Sequence, residues 1–368
     1  MQLGKAKRLV VKVGSSILIG EDGILRNGWL DAFAEEVVAF STAGMQVIVV
    51  TSGAVALGRA ALGIRTGALK LEEKQAAAAC GQIVLIQAWR ESLLKRQAAT
   101  AQLLLTIDDS ENRRRYLNAR NTLETLLDHG VVPIINENDT VATAELRFGD
   151  NDRLAARVAQ MASADALLLL SDIDGLYTAN PHTDPAARFI SEVREITPDI
   201  EAMAGGATSL VGSGGMVTKI EAAKIALAAG CHMVIAPGKE PYPLRRYDES
   251  KRGTWFIASS TPVSARRHWI SGAIAPAGVI VVDDGAAAAL KGGKSLLPAG
   301  VKALEGHFGR GDAVIVRDMQ GRELGKGLIA YSSEDAARIL GHKSQDIEKI
   351  LGFKGRNVLI HRDDLVLR

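Results

Sequence analysis

Cysteine is scarce: Cys80 and Cys231 are the two in 368 residues. They stand far apart in alanine-rich surroundings of helical character, which leaves neither a metal-ligand pair nor a disulfide framework. Both are expected as small core residues of a protein in a reducing, cytoplasmic compartment. An excess of charge is also lacking, with 44 Lys and Arg against 42 Asp and Glu and a formal net charge of +2. No general electrostatic attraction to nucleic acid or membrane follows from that balance. No run approaches the ~18 continuous apolar residues of a membrane span. The opening MQLGKAKRLVVKVGSSILIG sets basic residues before an apolar run, as a secretion signal does, but Lys12 interrupts the run and Gly14 follows at once, so a strand is expected there. The seven histidines are scattered, and neither His-Glu-x-x-His nor Gly-x-Ser-x-Gly occurs.

What is present is ordinary globular composition, 47% apolar and 23% charged. The length exceeds that of one hydrophobic core, so two domains are expected. The stretch from Val131 to Asp152, VVPIINENDTVATAELRFGDND, begins as a buried strand and turns into a run of Asn, Asp and Glu. Such side chains at the carboxyl end of a strand are where open α/β proteins place ligands. They suit an ammonium group, a metal ion or a lysine in need of a counter-charge, although Asn and Asp also make turns on their own account. Asp152 starts a helix over Leu154 to Met161 and is equally suited to cap it.

Leu9 to Val13 reads as a buried strand leading into the small-residue turn Gly14, Ser15 and Ser16. Lys12 inside it either snorkels to the surface at a sheet edge or sets its ammonium over the turn, where it and backbone N–H groups could hold phosphate. Gln46 to Thr51 is a second buried strand running into Ser52 and Gly53 and then a helix, a geometry that either points helix N–H groups at an anion or is a plain βα turn selected for close packing. A helix over Asn112 to Asp128 carries Arg113, Arg114, Arg115 and Arg120, expected as a solvated face. Ala166 to Leu170 is the most hydrophobic strand, with Ser171, Asp172 and Asp174 at its end. Tyr177 in the following loop either stacks on a base or anchors the loop. The glycine-rich VGSGGMVTK, Val211 to Lys219, taken alone reads as a lid or linker, but with Lys219 at its end and after two strands with acidic termini it reads as a nucleotide clamp, backbone N–H groups gathered ahead of a helix. It has no Walker spacing and no Gly-x-Gly-x-x-Gly, and the Gly-Lys-Ser at Gly293 to Ser295 is a decoy because Ala288 stands where that loop needs glycine.

Beyond Trp269 to Pro276 short strands alternate with Gly and Asp turns, as in a small β-rich domain. From Pro276 onward 14 Lys and Arg meet 12 Asp and Glu, a weaker basic character than a committed RNA-binding face shows. Two lysines on separate units, carboxylates at two strand ends, several phosphate-compatible turns and no evident nucleophile fit phosphoryl transfer, which needs alignment and charge cancellation. If the acceptor is a carboxylate, it is already ionised at neutral pH and no catalytic base is required.

The chain resembles the glutamate 5-kinase family of the amino-acid kinase superfamily with a C-terminal PUA domain. The marks are VVKVGSS at Val10 to Ser16, VIVVTSGAVALG at Val47 to Gly58, INENDTVAT and FGDND, SDIDGLYT at Ser171 to Thr178, and GSGGMVTK at Gly212 to Lys219; GDAVIVRD and GKGLIAYSS mark the PUA-like region. The resemblance implies an α/β fold, an open, mostly parallel sheet sandwiched by helices over residues 1–270, followed by a small β-rich PUA domain over 276–368. It implies ATP-dependent phosphorylation of the γ-carboxylate of L-glutamate, the first step of proline biosynthesis, with L-proline as feedback inhibitor and a homodimer or tetramer. Lys12 and Lys219 would stabilise the moving phosphoryl group and Asp152 would orient both ammonium groups. Ser52, Asp139, Asp150 and Asn151 would bind substrate, Asp139 facing its α-ammonium. Ser171, Asp172 and the loop Ser213, Gly214, Gly215, Met216, Val217, Thr218 and Lys219 would bind ATP together with Lys12, Mg2+ arriving on the ATP phosphates. Ser171 and Ser213 stand where relatives often have Thr and keep the hydroxyl. A carboxylate kinase for acetylglutamate or aspartate, and an RNA-binding protein acting through the PUA domain, are the alternatives; neither an RNA nor a membrane partner is expected.

Overall fold

Alternation along the first strand decides where its lysine goes. In the computed structural model, which describes residues 3–64, 67–142, 151–181, 183–205, 215–272 and 275–368, strand β1 spans Arg8–Val13. Leu9, Val11 and Val13 join one hydrophobic cluster and Val10 the other. Successive side chains point to opposite faces, so Lys12 falls on the Val10 side.

The chain divides into Met1–Pro262 and Val263–Arg368. In the first unit β1 is followed by α1 (Ser15–Leu18), α2 (Asn27–Thr42), β2 (Gln46–Thr51), α3 (Ala54–Arg59), α4 (Leu71–Leu94), β3 (Thr100–Leu105), α5 (Ile107–Glu111), α6 (Arg113–Asp128) and β4 (Val132–Glu137). Then come α7 (Asn151–Met161), β5 (Ala166–Ser171), β6 (Leu176–Tyr177), β7 (Phe189–Ile190), β8 (Glu192–Val193), α8 (Pro198–Gly205), α9 (Met216–Ala228), β9 (His232–Pro237), α10 (Pro243–Ser250) and β10 (Thr254–Phe256). The eight-stranded sheet has the order β3-β4-β2-β1-β5-β9-β10-β8. Every pairing from β3 across to β9 is parallel; β10 runs antiparallel to β9. Six strands therefore end on one edge of the sheet, where the polar runs after β2, β4 and β5 converge, as open α/β sheets require of a ligand crevice. Hydrophobic clusters on both faces make this the expected sheet between helices.

Because β1 is bonded to β2 on one side and β5 on the other, Lys12 stands mid-sheet and the snorkelling alternative falls. Arg120 departs from the expected solvated face: it is buried and its guanidinium lies 2.9 Å from Glu124. On a helix, positions 117, 120, 123 and 127 share a face, and Leu117, Leu123 and Leu127 bury that face. Helix α4 is set very close to α3. A Cβ on Gly81 would lie 1.8 Å from the Ala54 carbonyl oxygen, and one on Gly58 would lie 1.7 Å from that of Ala77.

In the second unit, α11 (Pro262–Gly272) precedes β11 (Gly278–Val282), α12 (Asp284–Lys291), β12 (Val301–Gly306), β13 (Ala313–Asp318), β14 (Glu323–Leu328), α13 (Ser333–Ile339), α14 (Ile347–Leu351) and β15 (Leu365–Leu367). Its five strands, ordered β12-β11-β13-β14-β15, enclose Ile280, Val282, Val314, Val316 and Ile329. The buried Asp364 is paired with Arg266 of α11. This is the small β-rich domain that the turn-punctuated C-terminal sequence announces.

Candidate active site

Three elements bring two lysines and one carboxylate together. Lys12 is the penultimate residue of β1, Asp152 the second residue of α7 and Lys219 the fourth of α9. Helices α7 and α9 pack on the sheet face to which Lys12 points, through Leu154, Val158, Ala222 and Ala223. Asp152 is 0% exposed, Lys12 7% and Lys219 5%. Lys12 Nζ lies 2.6 Å from Asp152 Oδ1 and Lys219 Nζ lies 2.9 Å from Oδ2, so each carboxylate oxygen holds one ammonium. Thr218 Oγ1 donates to the Gly215 carbonyl at 2.8 Å and stands 3.4 Å from Asp152 Oδ2.

Burial alone would push the Asp152 carboxyl up, but Lys12 and Lys219 outweigh it and hold the carboxyl below its ordinary range. Its place in the first turn of α7 adds a favourable helix field. One carboxylate between two ammonium groups leaves a net positive charge, aligned and shielded from water. That is the provision a migrating phosphoryl group needs. Gly215 is the N-cap residue of α9, so the N-terminal turn of that helix, with its favourable field for an anion, opens beside the same charges.

The adjoining cluster is neutral. Asn151 Nδ2 lies 2.6 Å from the Thr51 carbonyl, 2.7 Å from Ser52 Oγ and 2.9 Å from Asn136 Oδ1, its two protons serving three acceptors. Asn136, 3% exposed, donates in turn from Nδ2 to Gln82 Oε1 at 2.8 Å. Asp139 is half-buried in the turn after β4. On the other side of β1, Ser171 ends β5, buried, and donates to the exposed Asp172 at 3.1 Å. The Gly238 N–H bonds to the Ser171 carbonyl at 2.8 Å. Beside Gly238 a cavity of about 560 Å³ is lined by Pro237, Lys239, Arg246 and Arg252, among others.

Of the expected site residues, the structure unites Lys12, Asp152, Thr218 and Lys219 in one group and Ser52 with Asn151 in another. Ser171 pairs with Asp172. Gly215 and Met216 start α9 with Val217, which is 47% exposed. Asp150, Ser213 and Gly214 lie outside the described residues. Tyr177 anchors its loop: its hydroxyl bonds to Asp174 at 3.1 Å and to Arg252 at 2.9 Å, and its ring meets Phe189 edge-on. Asn136 and Gln82 had no role assigned from sequence. Asn136 is the fifth residue of β4 and opens the polar run there, and Gln82 carries no signal of its own in an alanine-rich helix.

Among the described residues no group of three His, Cys, Asp or Glu side chains is placed to hold a metal ion, and no helix is long and apolar enough to cross a membrane. Residues 7–237 match the amino acid kinase family and residues 278–351 the PUA domain. The chain is 60% identical over 366 residues to a glutamate 5-kinase of Paramagnetospirillum magneticum, covering 99% of both. It is 57% identical over 365 residues to a glutamate 5-kinase of Agrobacterium fabrum, covering 99% of this chain and 94% of the relative. A glutamate 5-kinase of Rhizobium etli is 56% identical over 365 residues, with the same two coverages.

Proposed function

Because the chain belongs to the glutamate 5-kinase family, we propose that its crevice catalyses ATP-dependent phosphorylation of the γ-carboxylate of L-glutamate, giving γ-glutamyl phosphate. The observation that carries this is the buried Lys12–Asp152–Lys219 group beside the Ser52–Asn151–Asn136 cluster. The γ-carboxylate is ionised at neutral pH and attacks without a base. Lys12 and Lys219 offset charge on the phosphoryl oxygens, and Asp152 keeps both ammonium groups in line through attack and departure. The donor set fits a polyphosphate: two ammonium groups, the start of α9 and the Ser171 hydroxyl. Mg2+ carried on the ATP phosphates would add further charge neutralisation.

On this reading Ser52, Asn151, Asp139 and Asp150 hold the amino-acid end, Asp139 facing the α-ammonium. Ser171, Asp172 and the loop through Ser213 and Gly214 to Lys219 hold the nucleotide. The proposal extends to L-proline as feedback inhibitor and to a homo-oligomer, with residues 1–270 as the catalytic domain and 276–368 as a PUA domain whose role is structural or regulatory. An ADP-coupled assay with L-glutamate, N-acetyl-L-glutamate and L-aspartate tests it. Glutamate should be strongly preferred, because the other two lack either a free α-ammonium or the longer side chain. Turnover with acetylglutamate equal to that with glutamate would overturn the substrate assignment.

A further inference from the structure

Helix α4 presents three hydrogen-bonding side chains at seven-residue spacing, Gln75, Gln82 and Trp89. Seven residues are nearly two turns, so the three share one face over about 21 Å. Each reaches a different wall of the amino-acid cluster. Gln75 Nε2 donates to the Ala142 carbonyl at 3.0 Å, and Trp89 Nε1 donates to Thr51 Oγ1 at 3.1 Å, next to Ser52. Gln82 Oε1 accepts from Asn136 Nδ2 at 2.8 Å. The close α3–α4 crossing at Gly58 and Gly81, one residue before Gln82, leaves this face little freedom to slide.

We propose that Gln82 is a positioning residue for the amino-acid end of the substrate, acting through Asn136 on Asn151 and Ser52; this rests on the glutamate kinase reading above. Asn136 is buried, and its amide has two chemically opposite ends. With Gln82 Oε1 in place, Nδ2 faces α4 and Oδ1 faces Asn151. Asn151 donates to that oxygen and to Ser52 Oγ, its NH2 held in the same sense by the Thr51 carbonyl. Having accepted that proton, Ser52 keeps its own hydroxyl proton to offer a substrate carboxylate. Without an acceptor at position 82 the buried donor end of the Asn136 amide loses its partner, and only the contact with Asn151 Nδ2 still holds that sense. Turned over, it would set its NH2 against that of Asn151, and the donor order at Ser52 would be lost. The phosphoryl-transfer group is not part of this chain of bonds.

Steady-state kinetics of the full chain with two variants test the proposal. Gln82→Met, similar in shape but without an acceptor, should raise KM for glutamate roughly tenfold, the size expected when a buried donor loses its partner, with kcat and KM for ATP within about twofold of wild type. Gln82→Glu retains an acceptor oxygen and should return KM for glutamate to within about threefold. The proposal is overturned by a glutamate KM for Q82M within about twofold of wild type, by a parallel rise in KM for ATP, or by Q82E no better than Q82M. Should Q82M fail to fold, Q82E decides alone, a rise beyond about tenfold counting against the proposal. Wild-type protein with no glutamate-stimulated turnover would instead overturn the kinase reading, so the two failures are distinguishable.

Discussion

Replacing Asp152 by Asn keeps the shape of the side chain and removes the charge that two buried ammonium groups share. Lys12 and Lys219 lie 2.6 and 2.9 Å from its two oxygens, and all three residues are less than 10% exposed. Removing one partner of a buried pair costs about 3–5 kcal/mol because the charge left behind has lost both water and partner. The substitution should therefore lower the stability of the ligand-free protein by about that amount near pH 7, read from urea unfolding followed by tryptophan fluorescence. The pH dependence has a definite sign. The folded-state pKa of Asp152 is depressed, so its contribution is fully present above the unfolded value of about 3.9 and is lost as pH falls through the folded value. The gap between wild type and variant should be flat from about pH 5 to 8 and shrink below about pH 4. Kinetically, on the proposed roles of Lys12 and Lys219 at the phosphoryl group, their misalignment should reduce kcat by about a hundredfold or more, while KM for glutamate stays within about threefold because the Ser52–Asn151–Asn136 bonds do not include Asp152. A stability gap below about 1 kcal/mol, or an undiminished gap at about pH 3, would refute the electrostatic argument. A raised glutamate KM with intact kcat would refute the division of labour.

Three further outcomes follow from other parts of the molecule. Asp139→Ala should raise KM for glutamate roughly 10- to 100-fold, the value of one hydrogen bond to a charged group, and leave kcat within about threefold; a loss confined to kcat would mean that Asp139 does not hold the α-ammonium. Gly81→Ala would place a methyl group 1.8 Å from a backbone oxygen of α3, so differential scanning calorimetry should show a loss of about 3 kcal/mol or more, and an unchanged Tm would contradict the close crossing. Glu36, buried on α2, accepts the N–H groups of Leu244 and Arg245 at 3.2 and 2.7 Å and so caps α10 from outside. Its replacement by Ala should cost about 1–3 kcal/mol, and faster amide hydrogen exchange in α10 would locate the loss.

The local patterns of the chain carried most of the fold. Strands over Leu9 to Val13, Gln46 to Thr51 and Ala166 to Leu170 were visible as short apolar runs closed by small or acidic residues, and the structure sets β1, β2 and β5 there side by side. Strand order is a long-range property, however, and so the position of Lys12 at the sheet centre, facing Asp152 and Lys219, could not be read from the six residues around it. Arg120 failed for a related reason. Charge suggested solvent, but its spacing from Leu117 and Leu127 assigned it to the buried face, where Glu124 answers it. The members of the candidate site are legible through motifs in their order along the chain, and least legible where a side chain meets the others through a single distant hydrogen bond. Gln82 lies 54 residues from Asn136 in an alanine-rich helix, and only the close setting of α4 against α3 and the hydrogen bond across to β4 give it a task.

The account stands most directly on the identity of the phosphoryl acceptor. With Mg2+, ATP and L-glutamate, hydroxylamine should trap an acyl phosphate as γ-glutamyl hydroxamate in amounts matching the ADP formed, and both products should vanish together in Lys219→Ala and Lys12→Ala. ADP formed without hydroxamate, or hydroxamate formed equally well by the lysine variants, would contradict it.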